Sequence, residues 1–139
     1  MNAQKTENFD HDTDVDLTHE INTMELDNWI NHLKYINKEL VNLTGIYSKK
    51  LSAKLEDHNV LNRLLKKQAE NETLLNALNK YVIVRSNLRE CDDIQCDMVY
   101  ITEHESYRRS YLYHLDKYRR LKEEFFKKVR GKFTLLSID

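Results

Sequence analysis

Two histidines set in a row of tyrosines are the residues of this chain best suited to chemistry near neutral pH. Tyr100, His104, Tyr107, Tyr111, His114 and Tyr118 follow one another at steps of four and three, and an imidazole among phenols can move a proton or sense acidity. Catalysis needs a nucleophile or carboxylate partner as well, and a concave pocket to hold a substrate. A row of this kind on one helix face predicts structural histidines bonded to tyrosine hydroxyls or water. His104-Glu105-Ser106-Tyr107-Arg108 follows the zinc-protease helix until its last position, where arginine replaces the second ligating histidine. Asp16-Leu17-Thr18-His19 comes nearest to the carboxylate and histidine pairs that hold metals inside helical bundles, but it lies where the chain is expected to fray. Neither a Gly-x-Ser-x-Gly elbow nor a Walker-type loop occurs. These residues point to a protein without catalytic groups, metal, cofactor or small-molecule substrate.

A second pattern, from Tyr107-Arg108-Arg109 through Tyr118-Arg119-Arg120 to Lys132, interleaves aromatic rings with cations. Such a surface stacks on bases while neutralising phosphates, and its phosphate contacts would be Arg108, Arg109, Arg119, Arg120, Lys127, Lys128 and Arg130. The competing explanation is an amphipathic helix, with tyrosines on the seam and cations mostly off it, as on any solvated charged face. Cys91 and Cys96, with four residues between them, match neither a CxxC redox motif nor half a zinc knuckle. Because cytosolic disulfides are rare, they are expected to be two reduced thiols near a turn.

Helices have to carry these residues. The 139 residues contain no proline and glycine only at positions 45 and 131, with 32% charged, which disfavours sheets and Gly-rich phosphate loops. Leu26, Trp29, Leu33, Ile36, Leu40, Leu43 and Tyr47 alternate steps of three and four, the seam of a coiled coil, and continue loosely through Leu51 and Leu55. Asn22-Thr23-Met24-Glu25 has the pattern of a helix start, and Asp16 can open the helix earlier. Residues 1–16 are therefore expected to be an acidic disordered tail and the first helix to run about 17–56, with Gly45 tolerated inside it. A second helix, about 59–90, is capped by Asp57 or Asn59. It places Leu61, Leu64, Leu75, Leu78 and Val82 on its seam, with Gln68 and Asn71 half-exposed between the leucine groups. A third, about 97–130, follows an aspartate cap, carries the tyrosine row on to Leu121 and Phe125 and stops at Gly131, leaving a short apolar tail at 133–139. The expected fold is an all-α, elongated antiparallel three-helix bundle with coiled-coil-like packing, a rod about 45–60 Å long.

Charge is balanced overall but not along the chain. Residues 1–28 hold one lysine against eight carboxylates, a balance of −7, and residues 108–132 hold ten cations against three carboxylates, a balance of +7. The start of the first helix is expected beside the end of the third, so that these segments attract within one chain, or else join chains head to tail. A thin rod exposes much of its seam, which predicts a homodimer or another helical protein as partner. Trp29, Tyr107, Tyr111 and Tyr118 are the aromatics expected to anchor either the core or that partner. The polar, acidic first sixteen residues predict no secretory leader, and the longest apolar run, Tyr81-Val82-Ile83-Val84, is far too short for a membrane span, so the expected location is cytoplasmic.

Trp29 followed by Leu33 and Glu39-Leu40, then His104, Arg108, Leu121 and Glu124-Phe125, make residues 20–130 resemble short bacterial helical-bundle proteins with no assigned activity. That resemblance implies helical architecture and nothing about a site. The expected function is a non-catalytic interaction or scaffold module, with nucleic-acid association through the basic third helix as the alternative.

Overall fold

With no proline, and with leucine, lysine, glutamate and asparagine filling long stretches, little in the chain interrupts helical hydrogen bonding for dozens of residues. The computed structural model describes the backbone of residues 2–51 and 58–138, and side chains within 13–51, 58–88 and 90–131. Among these residues there is no strand. Helix α1 spans Asn2–Ile46 and passes into a π-helical turn at Tyr47–Leu51; α2 spans Asn59–Arg85 and tightens into a 3₁₀ turn at Ser86–Glu90; α3 spans Ile94–Ile138. The three pack into one all-α bundle.

Directions follow from the contacts. Leu33 meets Asn71 and Thr23 meets Arg85, so α2 runs antiparallel to α1. Tyr81 meets His104 and Arg63 meets Glu124, so α3 runs antiparallel to α2. Helix α3 therefore returns parallel to α1, with partners 79 residues further along, His32 with Tyr111 and Glu39 with Tyr118. This corrects the expected charge pairing. Two reversals restore the original direction, so the acidic start of α1 lies beside the start of α3 and the basic end of α3 lies at the far end of the bundle. The 45 residues of α1 span about 68 Å at the usual rise.

One apolar core runs along the bundle. Every α1 seam residue from Leu26 to Leu51 is buried, as are Tyr111, Tyr118, Leu121 and Phe125 of α3, while Tyr100 and Tyr107 are half-buried; Leu55 lies outside the described residues. A fully buried side chain of this size contributes roughly 1.5–3 kcal/mol. Leu43, Tyr47 and Leu51 follow at two successive steps of four, and the wider π turn keeps all three on the buried stripe.

The stripe of α2 differs from the expected one. Its buried residues are Val60, Leu64, Lys67, Asn71, Leu78, Tyr81 and Arg85, again at steps of three and four once half-buried Leu74 is included. Only Leu64 and Leu78 of the expected seam leucines lie fully inside; Leu61 and Leu75 are half-buried and Val82 is 41% exposed. Apolar residues flank the stripe on both sides, so hydrophobicity alone favoured the wrong phase, and the true one carries cations and an amide held by hydrogen bonds.

Helix ends also differ where no residue forces a stop. Helix α1 is already helical at residues 2–16, the segment expected to be a tail, and Asn22-Thr23-Met24-Glu25 lies in mid-helix, because a capping pattern acts only where the preceding chain is not helical. Helix α3 continues through Gly131, which lacks the positive φ of a helix stop, so 133–138 is helix rather than tail. At Gly45 an added Cβ would meet nothing within 4 Å, so the glycine is tolerated rather than required by a close contact. His58 precedes α2 without a capping side chain, and Asp57 lies outside the described residues. Asp93 does cap α3, three residues earlier than expected, its carboxylate accepting the Cys96 N–H at 2.8 Å.

Candidate functional site

The polar residues that share the core form three groups, one above another. In the first, His104 is wholly buried with its ring stacked on Trp29, centroids 4.8 Å apart. Its Nε2 lies 2.9 Å from Glu25 Oε1 and its Nδ1 2.8 Å from the Tyr81 hydroxyl. A carboxylate only accepts, so Nε2 carries the hydrogen and Nδ1 accepts the Tyr81 proton. Arg85 donates to the Tyr81 oxygen at 3.3 Å, to Thr23 Oγ1 at 2.7 Å and to the His19 carbonyl at 3.0 Å. Arg108 donates to both Glu25 oxygens, at 2.9 and 2.6 Å, and also to Asn22 and Glu105. His19 Nε2 lies 2.9 Å from Asp97 Oδ1, and its buried Nδ1 has no hydrogen-bond partner among the described residues.

Protonation states follow from these partners. The Arg108 guanidinium holds the Glu25 carboxyl below the usual range despite partial burial, with His104 adding to the effect. Burial pushes His104 below its ordinary value, against the pull of Glu25, and burial raises Tyr81. Glu25, His104 and Tyr81 stand in the order carboxylate, imidazole, hydroxyl, the order of a hydrolase triad. Here the hydroxyl is buried and its proton is held more tightly than usual, and the three groups tie α1, α3 and α2 together.

In the second group Asn71 is 0% exposed, which overturns its expected half-exposed position. Its Nδ2 donates to the Leu33 carbonyl at 2.8 Å, which leaves Oδ1 to accept from His114 Nε2 at 2.8 Å. One amide thereby joins all three helices, and a slip of register would bury an amide and an imidazole unpaired. Burial, with the Lys67 charge nearby, pushes His114 down to about 4. In the third group Glu39 accepts from Lys122 at 2.8 Å, from Tyr35 at 3.4 Å and from Tyr118. Burial pushes Glu39 up, but the bonds from Lys122 and Tyr118 outweigh it and leave the carboxyl below its ordinary range.

Of the expected aromatic anchors, Trp29, Tyr111 and Tyr118 serve the core, and Tyr107 is half-buried and stacked on Tyr81 at 4.3 Å. Of the expected phosphate contacts, Arg108 is bound to Glu25, Arg120 pairs with Asp116 at 3.2 Å and Lys128 is half-buried, while Arg109, Arg119, Lys127 and Arg130 are exposed. Sequence reasoning missed Glu25, Tyr81, Arg85 and Asp97 as members of this network and read His19 only as half of a metal-type pair. The signal available was polar residues recurring at steps of three and four on α2. Among the described residues no three His, Cys, Asp or Glu side chains gather as a metal group.

Cys91 and Cys96 are joined as a disulfide, Cα atoms 5.4 Å apart, which corrects the expectation of free thiols. Cys91, at the end of the 3₁₀ segment, turns extended and so comes back toward Cys96 in the first turn of α3. The link closes the loop that holds the Asp93 cap and sits next to Asp97. A loop this short constrains the unfolded chain by about 2 kcal/mol. Reduction, or the double change Cys91→Ser with Cys96→Ser, is expected to lower stability by about that amount, read as a drop in the urea midpoint at neutral pH. An unmoved midpoint would show that the link constrains nothing.

The arrangement defines a three-helix bundle whose buried polar groups are bonded to one another across all three helices. No protein-family model, curated protein or solved structure matches the chain.

Proposed function

We propose that this protein is a non-catalytic interaction or scaffold module, a helical bundle with coiled-coil-like packing that associates with a second copy or another helical protein. One observation carries the reading. The buried histidines, tyrosines and arginines are largely taken up by one another, while Leu17, Ile21, Met24, Tyr35, Leu112 and Tyr113 stand exposed on the outer faces. Buried polar groups bonded in this way enforce register, which is a specificity device. Exposed apolar side chains on a rod are surface for a partner to cover, at ~25 cal/mol for each Å². Light scattering joined to small-angle scattering over a concentration series tests it. A doubled mass supports self-association, and a monomer throughout removes that part of the reading and leaves only a different helical partner.

Association with nucleic acid is kept by one fact: exposed Arg119, Lys127 and Arg130 lie toward the end of α3, away from the acidic start of α1. Against it, Tyr111 and Tyr118 are packed inside and Tyr107 is half-buried, so that of the tyrosines in this segment only Tyr113 stands exposed. Titration of a generic oligonucleotide with salt separates the two, since steep salt dependence supports this second reading and absence of binding at low salt removes it. The disulfide supports an oxidising setting over the expected cytoplasmic one. No described helix is long and apolar enough to cross a membrane.

A further inference from the structure

Met98, Glu105, Leu112, Arg119 and Phe126 recur at steps of seven and form one row along the outside of α3, all of them exposed. The row lies on the side turned toward α1, because Leu112 and Phe126 stand one turn from Arg108 and Lys122, which bridge to Glu25 and Glu39. No other helix covers it among the described residues, and Glu105 is engaged only by Arg108 of the next turn.

The row is complementary to itself when reversed. Laid antiparallel about Leu112, it sets Leu112 against Leu112, Glu105 against Arg119 and Met98 against Phe126, each of the unlike contacts occurring twice as two-fold symmetry requires. Shape agrees with charge. Phe126 borders a groove of about 460 Å³ shared with Arg119 and Arg130, and Met98 borders one of about 840 Å³ shared with Val99 and Thr102. Each groove lies where the other's large side chain would arrive, and a thioether packs well at an aromatic edge. The same orientation brings the −7 end of each molecule beside the +7 end of the other, whereas a parallel pair would put like charges together.

We infer that the outer row of α3 is a homodimer interface, packed antiparallel on the same row of a second copy with the two-fold axis at Leu112. This rests on the self-association proposed above and adds the face and the orientation.

The test uses the full chain. Glu105→Arg alone and Arg119→Glu alone are each expected to weaken the dimer about tenfold or more at low salt, by sedimentation, with the helical signal in circular dichroism unchanged. An equimolar mixture of the two variants is expected to recover wild-type affinity, because both contacts become unlike again. Leu112→Cys is expected to cross-link to itself under mild oxidation, and Val99→Cys, exposed but off the row, is not. A wild-type chain that stays monomeric overturns this inference together with the self-association reading. A wild-type dimer unaffected by either charge reversal, with no cross-link at position 112, overturns the face alone and leaves self-association standing.

Discussion

Acidification from pH 7 to pH 4 is expected to remove about 3 kcal/mol of stability through His114 alone. Burial holds this imidazole at about 4 in the folded chain, whereas in the unfolded chain it titrates near the ordinary ~6.5. Between those values the unfolded state binds a proton that the folded state refuses, so stability is whole above the upper value and falls as pH drops through the window. His104, also pushed down by burial, acts in the same direction. Glu25, Glu39 and Glu70, all held low by cationic or hydroxyl partners, add a further loss at lower pH, as their folded-state carboxylates are protonated. Urea unfolding across this range measures the slope. His114→Gln keeps an N–H for Asn71 but cannot titrate, and it is expected to flatten the upper part of the curve. An unchanged slope in that variant would exclude His114 as the source.

Trp29→Ala is expected to cost about 3–5 kcal/mol, the largest loss from any single side chain here. Trp29 is 4% exposed and its ring is stacked on both His104, at 4.8 Å, and Tyr111, at 5.3 Å. Truncation therefore leaves a cavity between α1 and α3 and strips one face from an imidazole whose two nitrogens are both bonded. Trp29→Phe keeps an aromatic ring in place and is expected to lose less than half as much. Far-UV circular dichroism in urea reads both variants. In the wild type the emission of Trp29, the sole tryptophan, is expected to shift to the red on unfolding. A loss below about 1 kcal/mol for the alanine variant would mean that the surrounding helices close the gap.

On two of the three helices the buried seam could be read in the sequence, though not where either helix begins or ends. On α1 and α3 the alternating steps of Leu26 to Leu51 and of His104 to Phe125 mark the stripe that is buried, although Met24, Tyr35, Leu112 and Phe126 stand exposed beside it. On α2 leucines and valines occur on both sides of the stripe, so two phases fit. The choice fell to Lys67, Asn71 and Arg85, whose burial is tolerable only because groups on other helices or on a neighbouring turn receive their hydrogen bonds. Hydropathy counts such residues as solvent-facing. The locking groups were half visible for the same reason: the histidines and tyrosines of α3 stood out by type and spacing, but their partners Glu25, Asn71 and Arg85 looked like ordinary surface residues.

By itself the sequence determined that the chain is helical, that it makes three helices, and which faces of the first and third are buried, because these depend on local propensity and on spacing along one helix. The tertiary structure decided which polar residues go inside, that Cys91 meets Cys96, and that the acidic and basic segments lie at opposite ends. Each of these depends on which residues from different helices arrive at the same level. That is set by the direction and register of packing, and neither quantity is encoded in any one segment.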